Sequence, residues 1–253
     1  MLKFSEANAK TKSLRDISKL QPYLANRRKV YSLDLLSGWS CPGACDCLAR
    51  VHMLNGKRSL KDGPKTKFRC FSASQEVAYT NTYKARQHNF DLIKGCRSTE
   101  SVLKLLTKSM PKNLGILRWH VAGDFFRRSY LKAAIELARR NPDRLFYAYT
   151  KSLKFLAEFP MLDPSNGVLL PNFLVTSSRG GKYDNLIDQI GVRTSTVVFD
   201  ENTDLPIDHD DSHAATMGGN FALLLHGIQP AGSEASIAKK ALKGKGKYSR
   251  VAT

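Results

Sequence analysis

The chain has 253 residues, of which 42% are hydrophobic, and this length and composition predict a globular domain rather than a disordered chain. Lysine and arginine exceed aspartate and glutamate by 40 − 22 = 18, so the formal net charge is +18. Such an excess favours polyanionic partners, and nucleic acid is the first candidate. No apolar stretch approaches the roughly 20 residues of a membrane span. We therefore expect no membrane partner and a cytoplasmic location.

Short apolar runs alternate with stretches of helical periodicity along most of the chain. The predicted strands are Val30–Leu36, Gly115–Ala122, Leu145–Thr150, Asn172–Thr176, Thr196–Phe199 and Phe221–His226. The predicted helices are Ser74–Lys94, Ser98–Ser109, Arg128–Arg140, Lys151–Glu158, Tyr183–Ile190 and Ser233–Leu242.

This alternation is typical of α/β proteins with a parallel sheet. Six strands favour a partial (βα)6 barrel-like sheet over a closed eight-stranded barrel. We predict a single domain over residues 1–242, with a cysteine-rich loop after the first strand. The glycine and lysine alternation of residues 243–253 predicts a flexible basic tail.

Three cysteines, Cys41, Cys45 and Cys47, follow the first predicted strand within seven positions. Thiolates on loops of this kind hold iron–sulfur clusters, and a [4Fe-4S] cluster is the predicted cofactor. A structural zinc site remains an alternative, although the spacing lacks the paired Cys-x2-Cys of common zinc modules.

Cys70 is predicted to be the fourth thiolate. Its neighbours Lys67 and Arg69 are basic, and positive neighbours lower the pKa of a thiol and favour the ligating form. Three thiolates leave one iron open to a cofactor, whereas four close the cluster and make it structural or electron-transferring. Cys96 is left without a role.

Polar residues follow the predicted strands at their carboxyl ends, where α/β folds bind ligands. Asp124, next to Gly123, can receive a ligand ammonium group or cap the following helix. Lys151 can bind an anion or lie in solvent. The turn that contains Ser178 and Arg179 is glycine-rich and predicts an anion site.

Two further polar features carry weaker predictions. His120 lies within a predicted strand, where a histidine is more often an interior residue than a ligand. The run Asp208–His213 contains three carboxylates and two imidazoles, and we interpret it as a solvated acidic loop rather than a metal site. No catalytic residue is assigned.

Several of these segments together resemble a phage protein family named after gene product 88. They are Ser40–Cys45, Arg69–Glu76, His120–Phe126, Phe146–Ser152, Ser178–Gly181 and His226–Ser233. The resemblance covers about residues 33 to 233. It implies a phage-encoded protein that acts in the host cytoplasm.

The predicted architecture is also similar to that of radical S-adenosylmethionine enzymes. This resemblance implies that Cys41, Cys45 and Cys47 bind the cluster and that Gly123 and Asp124 meet the amino group of S-adenosylmethionine. The chemistry implied is reductive cleavage of that cofactor, and the substrate would be nucleic acid or a host molecule. In that family two residues separate the second cysteine of the motif from the third, whereas here Asp46 alone separates Cys45 from Cys47. The alternative is a non-catalytic basic protein with a structural four-cysteine site that binds nucleic acid or a host protein.

Overall fold

The computed structural model describes residues 1–242, apart from the side chains of residues 9 and 10, and shows a mixed α/β fold. The strands are β1 Ser5–Glu6, β2 Lys29–Leu33, β3 Ala49–Leu54, β4 Lys57–Asp62, β5 Leu114–Trp119, β6 Leu145–Thr150, β7 Val168–Leu170, β8 Phe173–Ser178, β9 Thr194–Val198 and β10 Phe221–Leu224. The α-helices are α1 Ala9–Lys12, α2 Gln21–Leu24, α3 Ala73–Ala78, α4 Thr80–Gly95, α5 Thr99–Ser109, α6 Arg128–Arg139, α7 Leu153–Leu156, α8 Leu186–Ile190 and α9 Glu234–Ala241.

Six of the strands form a parallel sheet in the order in which they occur along the chain. That order is β2-β5-β6-β8-β9-β10. β1 adds to the β2 edge and β7 pairs with β8, both antiparallel. Within residues 1–242 no pairing joins β10 to β2, so the sheet is not a closed barrel. Each of the six predicted strands overlaps one of the parallel strands, with its ends shifted by up to three residues.

The sheet buries both of its faces, because successive residues of a strand point to opposite sides. In β6, Phe146 and Ala148 belong to the larger apolar cluster, which includes buried residues of α4, α5 and α6. Leu145 and Tyr147 belong to a second cluster, in which Leu14 of the N-terminal segment also lies. The longer helices therefore cover one face of the sheet, and shorter segments cover the other.

The predicted ends of α6 and α9 are confirmed to within one residue, and both helices carry clear capping or stop signals. α6 ends one residue earlier than predicted, just before the Asn141-Pro142 stop. The Ser233 hydroxyl accepts a hydrogen bond from the Ser236 amide at 3.1 Å and caps α9. None of the described helices combines the length and apolar content needed to cross a bilayer.

The prediction of one helix over Ser74–Lys94 is wrong, because Tyr79 has extended backbone (φ −117°) and separates α3 from α4. The Arg58 side chain donates to the Val77 carbonyl at 3.3 Å and to the Thr80 hydroxyl at 2.7 Å, and so satisfies groups at the break. Arg58 comes from the β3–β4 hairpin, whose two strands are not among those predicted from the sequence. The predicted tail, residues 243–253, lies outside the described residues.

We expect Gly115→Ala to lower the free energy of unfolding by about 1–3 kcal/mol, since small-to-large changes in a packed site force the backbone to move. A Cβ atom added to Gly115 would lie 2.2 Å from the Tyr23 carbonyl oxygen and 2.9 Å from the Cβ of Arg28. Gly95→Ala is the control, because no described atom beyond its chain neighbours and its own helix backbone lies within 4 Å of an added Cβ. Urea unfolding measures the effect of both variants. Equal shifts of the unfolding midpoint in Gly115→Ala and Gly95→Ala would contradict close packing at Gly115.

Candidate functional site

The loop that carries Cys41, Cys45 and Cys47 connects β2 to β3 and lies over the carboxyl end of the parallel sheet. The Asp46 amide donates to the Gly180 carbonyl at 2.9 Å. The Lys182 amide donates to the Gly43 carbonyl at 2.8 Å. The cysteine loop is therefore hydrogen-bonded to the turn that follows β8.

The segment that leads to Cys70 folds back onto this loop. The amides of Lys67 and Phe68 donate to the Asp46 carbonyl at 2.8 and 3.1 Å. The amide of the next residue, Arg69, donates a hydrogen bond to the side-chain oxygen Oε1 of Gln229, which lies much farther along the chain, at 2.7 Å. These bonds bring the fourth cysteine to the same edge of the sheet as the first three.

Three of the thiols are near enough to interact electrostatically. Burial, and then the Asp124 carboxylate, raise the pKa of the Cys41 thiol well above its ordinary value. Cys70 and Cys47 add to that rise. Burial raises the pKa of Cys47 to about 11, and Cys70 contributes. Cys41, Cys47 and Cys70 thus share one largely desolvated region, although each keeps part of its surface accessible.

The expectation that basic neighbours lower the pKa of Cys70 is wrong. Burial raises it. The Lys67 ammonium lies 2.9 Å from the Asp46 carboxylate, and the Arg69 guanidinium lies 2.6 Å from the Asp62 carboxylate. Both cations therefore have carboxylate partners of their own.

Asp124 connects the ends of β5 and β6. Its carboxylate accepts from the Thr150 hydroxyl at 2.6 Å and from the amides of Phe125 at 2.7 Å and Lys151 at 2.9 Å. The prediction that it caps the following helix is wrong, since Arg127 occupies the N-cap of α6. Burial raises the pKa of Asp124, and its hydrogen bonds oppose that rise.

Gly123, the residue before it, has φ +96°, and an added Cβ would lie 2.6 Å from the Ser40 hydroxyl oxygen. A glycine is therefore needed where this turn meets the chain just before Cys41.

Lys151 is buried at the same edge, so the interpretation of it as a solvated lysine is wrong. Its ammonium group donates to the Ser178 hydroxyl at 2.5 Å, the Ser178 carbonyl at 3.0 Å and the Arg179 carbonyl at 2.7 Å. No carboxylate in the described part of the chain forms an ion pair with it. Its positive charge also lowers the pKa of Cys47, although burial outweighs that effect.

The turn after β8 has an internal partner for its amides. The amides of Gly180 and Gly181 donate to the Asp184 carboxylate at 2.8 and 2.9 Å. Since the protein's own carboxylate occupies this nest, the turn is not open to a ligand anion there. The Arg179 side chain is exposed.

The buried Glu76 carboxylate joins the two segments that carry the cysteines. The Glu76 carboxylate lies 3.1 Å from the Arg86 guanidinium. The same oxygen accepts from the Ser37 amide at 2.9 Å and the Ser37 hydroxyl at 2.8 Å. Ser37 lies four residues before Cys41 and Glu76 lies six residues after Cys70, so the Ser37–Glu76 hydrogen bonds fix the relative position of both segments.

The interpretation of Asp208–His213 as a solvated loop is wrong for its two aspartates at 208 and 211, which are buried. Asp211 lies 2.5 Å from the Arg118 guanidinium and accepts from the Tyr147 hydroxyl at 3.1 Å. Burial, and then Asp211, raise the pKa of Tyr147 well above its ordinary value. An arginine between apolar residues of a strand needs a buried counter-ion, so Arg118 was the signal that could have predicted this pair.

His120 lies just after β5, with φ +67°, and not within the strand as predicted. Its Nε2 is 2.8 Å from the Tyr130 hydroxyl, whereas Nδ1 is buried and has no hydrogen-bond partner among the described residues. Burial, together with the charge of Arg118, lowers the pKa of His120 to about 3. The imidazole is therefore neutral at physiological pH.

Among residues 1–242, no group of three or more His, Cys, Asp or Glu side chains is placed so that it could hold a metal ion. A family model described as gene product 88 matches residues 2–244. The chain belongs to the gene product 88 family of phage proteins. No curated protein and no solved structure gave a significant match to this family member.

Glu76→Gln should lower the free energy of unfolding by about 3 kcal/mol, because it leaves the buried Arg86 guanidinium without its counter-ion. Glu158→Gln breaks the ion pair with Arg128, in which both side chains are exposed, and should cost less than about 1 kcal/mol. Urea denaturation of both variants measures the difference. Equal losses would show that the buried pair does not stabilise the joined segments.

His120 should also make the stability of this family member depend on pH. Its folded-state pKa of about 3 lies below the ordinary value of 6.5, so between these pH values the unfolded chain binds the proton and the folded chain does not. The free energy of unfolding should therefore fall as the pH falls from 6.5 towards 3, by up to about 1.4 kcal/mol per pH unit.

His120→Asn removes this titration and keeps a residue type that tolerates positive φ. The difference in unfolding free energy between wild type and variant should shrink as the pH is lowered from 7.5 to 5. A difference that is constant with pH would contradict a neutral, buried His120.

Proposed function

We propose that this protein is an iron–sulfur protein whose cluster is held by Cys41, Cys45, Cys47 and Cys70, and that it binds nucleic acid. The observation that carries the proposal is the pair of hydrogen bonds from the Lys67 and Phe68 amides to the Asp46 carbonyl, which fold the Cys70 segment onto the loop of the other three cysteines. The described side chains are not already arranged around a single metal ion, so cluster binding would draw the thiols together. Thiolates are the usual ligands of iron–sulfur clusters, so the chemistry of this donor set fits one.

The charge balance of the region supports an anionic group. The Lys151 ammonium is buried beside Cys47 and is satisfied by a hydroxyl and two carbonyls, none of which is charged. A buried cation without a counter-ion is costly. A cluster ligated by four thiolates is negatively charged overall and would supply that counter-ion. When bound, such a group transfers electrons or stabilises the fold.

The four-thiolate arrangement is favoured over an open iron by the contacts of Asp124. Its two carboxylate oxygens already accept three hydrogen bonds from the protein, which fill most of their acceptor capacity and leave little for a ligand amine. The Cys70 segment is also hydrogen-bonded to the loop of the other three cysteines through Asp46. Both observations support a closed, non-catalytic centre.

The second candidate is a radical S-adenosylmethionine enzyme, and the sheet favours it. Six parallel strands in chain order, with the longer helices on one face, support a partial (βα)6 barrel. In that arrangement Cys41, Cys45 and Cys47 would hold the cluster, and Gly123, Asp124, Lys151, Ser178 and Arg179 would line the S-adenosylmethionine site beside it.

Serine variants of each cysteine, purified without oxygen, test the proposal. We expect the wild-type protein to be brown and to contain iron and sulfide. Cys70→Ser should lose iron about as severely as Cys41→Ser. Cys96→Ser should keep the cluster, since the Cys96 thiol donates to the Leu92 carbonyl at 3.4 Å on α4, away from the cysteine loop.

Two outcomes would contradict the four-thiolate centre. A colourless wild-type preparation with stoichiometric zinc would replace the cluster with a zinc site. A full cluster in Cys70→Ser, with an electron paramagnetic resonance signal that shifts when S-adenosylmethionine is added, would favour the radical enzyme instead.

A further inference from the structure

The β3–β4 hairpin and the residues that follow it are strongly basic. Residues 49–69 contain seven lysines and arginines and a single carboxylate, that of Asp62. Asp62 is occupied, because Arg69 donates to both of its oxygens at 2.9 and 2.6 Å. The positive charge of the other hairpin cations is therefore not neutralised within this segment.

The register of the hairpin sorts its side chains onto two faces. Ala49, Val51 and Leu60 share one face with Arg58, and the hairpin packs against α3. The opposite face, which we call the basic face, carries Arg50, His52 and Leu54, paired with Lys61, Ser59 and Lys57. No ion pair involves Arg50, Lys57 or Lys61 in the described part of the chain.

Trp39 adds an aromatic ring to the basic face. It is 44% exposed, its ring centroid is 5.2 Å from that of His52, and the Arg50 guanidinium carbon lies 5.0 Å from the ring. Its indole nitrogen donates to the Val51 carbonyl at 2.9 Å, so the ring is held in place from the hairpin backbone. Indole and guanidinium planes are the groups on which unstacked nucleobases stack.

We propose that the basic face, together with Trp39, binds single-stranded nucleic acid. Lys57, Lys61 and Arg50 would contact the phosphates, and a base would stack on Trp39 beside Arg50. A single strand is favoured over a duplex because an exposed aromatic ring is useful only where bases are unstacked. The inference rests on the nucleic-acid part of the proposed function and does not require the metal centre.

The test measures binding of a fluorescent single-stranded oligothymidylate to the full chain by anisotropy, over a range of salt concentrations. Binding should weaken steeply with salt because counterions are released. The double variant Lys57→Ala/Lys61→Ala should lower the salt slope by about 1.4, since each phosphate contact on a single strand contributes roughly 0.7. Lys104→Ala/Lys108→Ala makes the same charge change on the exposed side of α5 and should leave the slope unchanged.

Trp39 variants separate stacking from charge. Trp39→Ala should weaken binding about tenfold or more, and Trp39→Phe should recover most of the affinity because it keeps a stacking ring. A duplex of the same length should bind more weakly than the single strand and should not respond to Trp39→Ala.

Four results would overturn the inference. These are no binding of the wild type at low salt, equal effects of the α5 and hairpin double variants, unchanged affinity in Trp39→Ala, and preference for the duplex. Binding of an acidic protein with no binding of nucleic acid would point to a host protein at this face. Iron content is measured on the same samples. A wild-type protein that contains no iron but binds the single strand would contradict the metal centre and leave this inference intact.

Discussion

The Glu76 carboxylate is the group on which the candidate site depends most. It is fully buried, and through one oxygen it binds Arg86 on α4 and both donor groups of Ser37 in the loop that leads to Cys41. Glu76 itself follows Cys70 along the chain. Ser37 and Glu76, 39 residues apart in sequence, are thus held together by hydrogen bonds to a carboxylate that Arg86 neutralises. Its exclusion from water makes the pair expensive to break, which is what a fixed set of ligands requires.

A second consequence follows from how charges are compensated around the thiols. The Asp46 carboxylate pairs with Lys67, and the Asp184 carboxylate accepts from the turn amides. Asp124 accepts hydrogen bonds from the Thr150 hydroxyl and two amides. Lys151 differs, because its ammonium group is buried against neutral acceptors. The protein therefore places one uncompensated positive charge beside Cys47. That asymmetry favours a negatively charged group over a neutral one at this edge of the sheet, and it supports the proposed cluster.

The sequence was sufficient to predict the parallel strands and the longer helices, because their apolar periodicity reflects burial on a sheet or helix face. It also placed Asp124 and Lys151 at one edge. It did not predict the partners of polar residues, since burial depends on contacts distant along the chain. Asp211 was predicted to be solvated, but it is buried against Arg118. The glycine turn was predicted to bind a ligand anion, but the Asp184 carboxylate occupies it. The hairpin was missed although Asn55-Gly56, both with positive φ, is a strong two-residue turn signal.

The hairpin and the cysteine loop are mechanically coupled, because Trp39 belongs to both. It lies two residues before Cys41, and its indole nitrogen is bound to the hairpin carbonyl of Val51. Gly38, with φ +68°, lets the chain pass close to the hairpin, since an added Cβ would lie 2.2 Å from the Ala49 oxygen. A nucleobase stacked on Trp39 would thus contact a residue only two positions before Cys41, a proposed cluster ligand. Conversely, a cluster that orders Cys41 would restrict Trp39 and reduce the entropy lost when a base stacks on it. The proposed cluster and the proposed interface would then strengthen each other through a single residue.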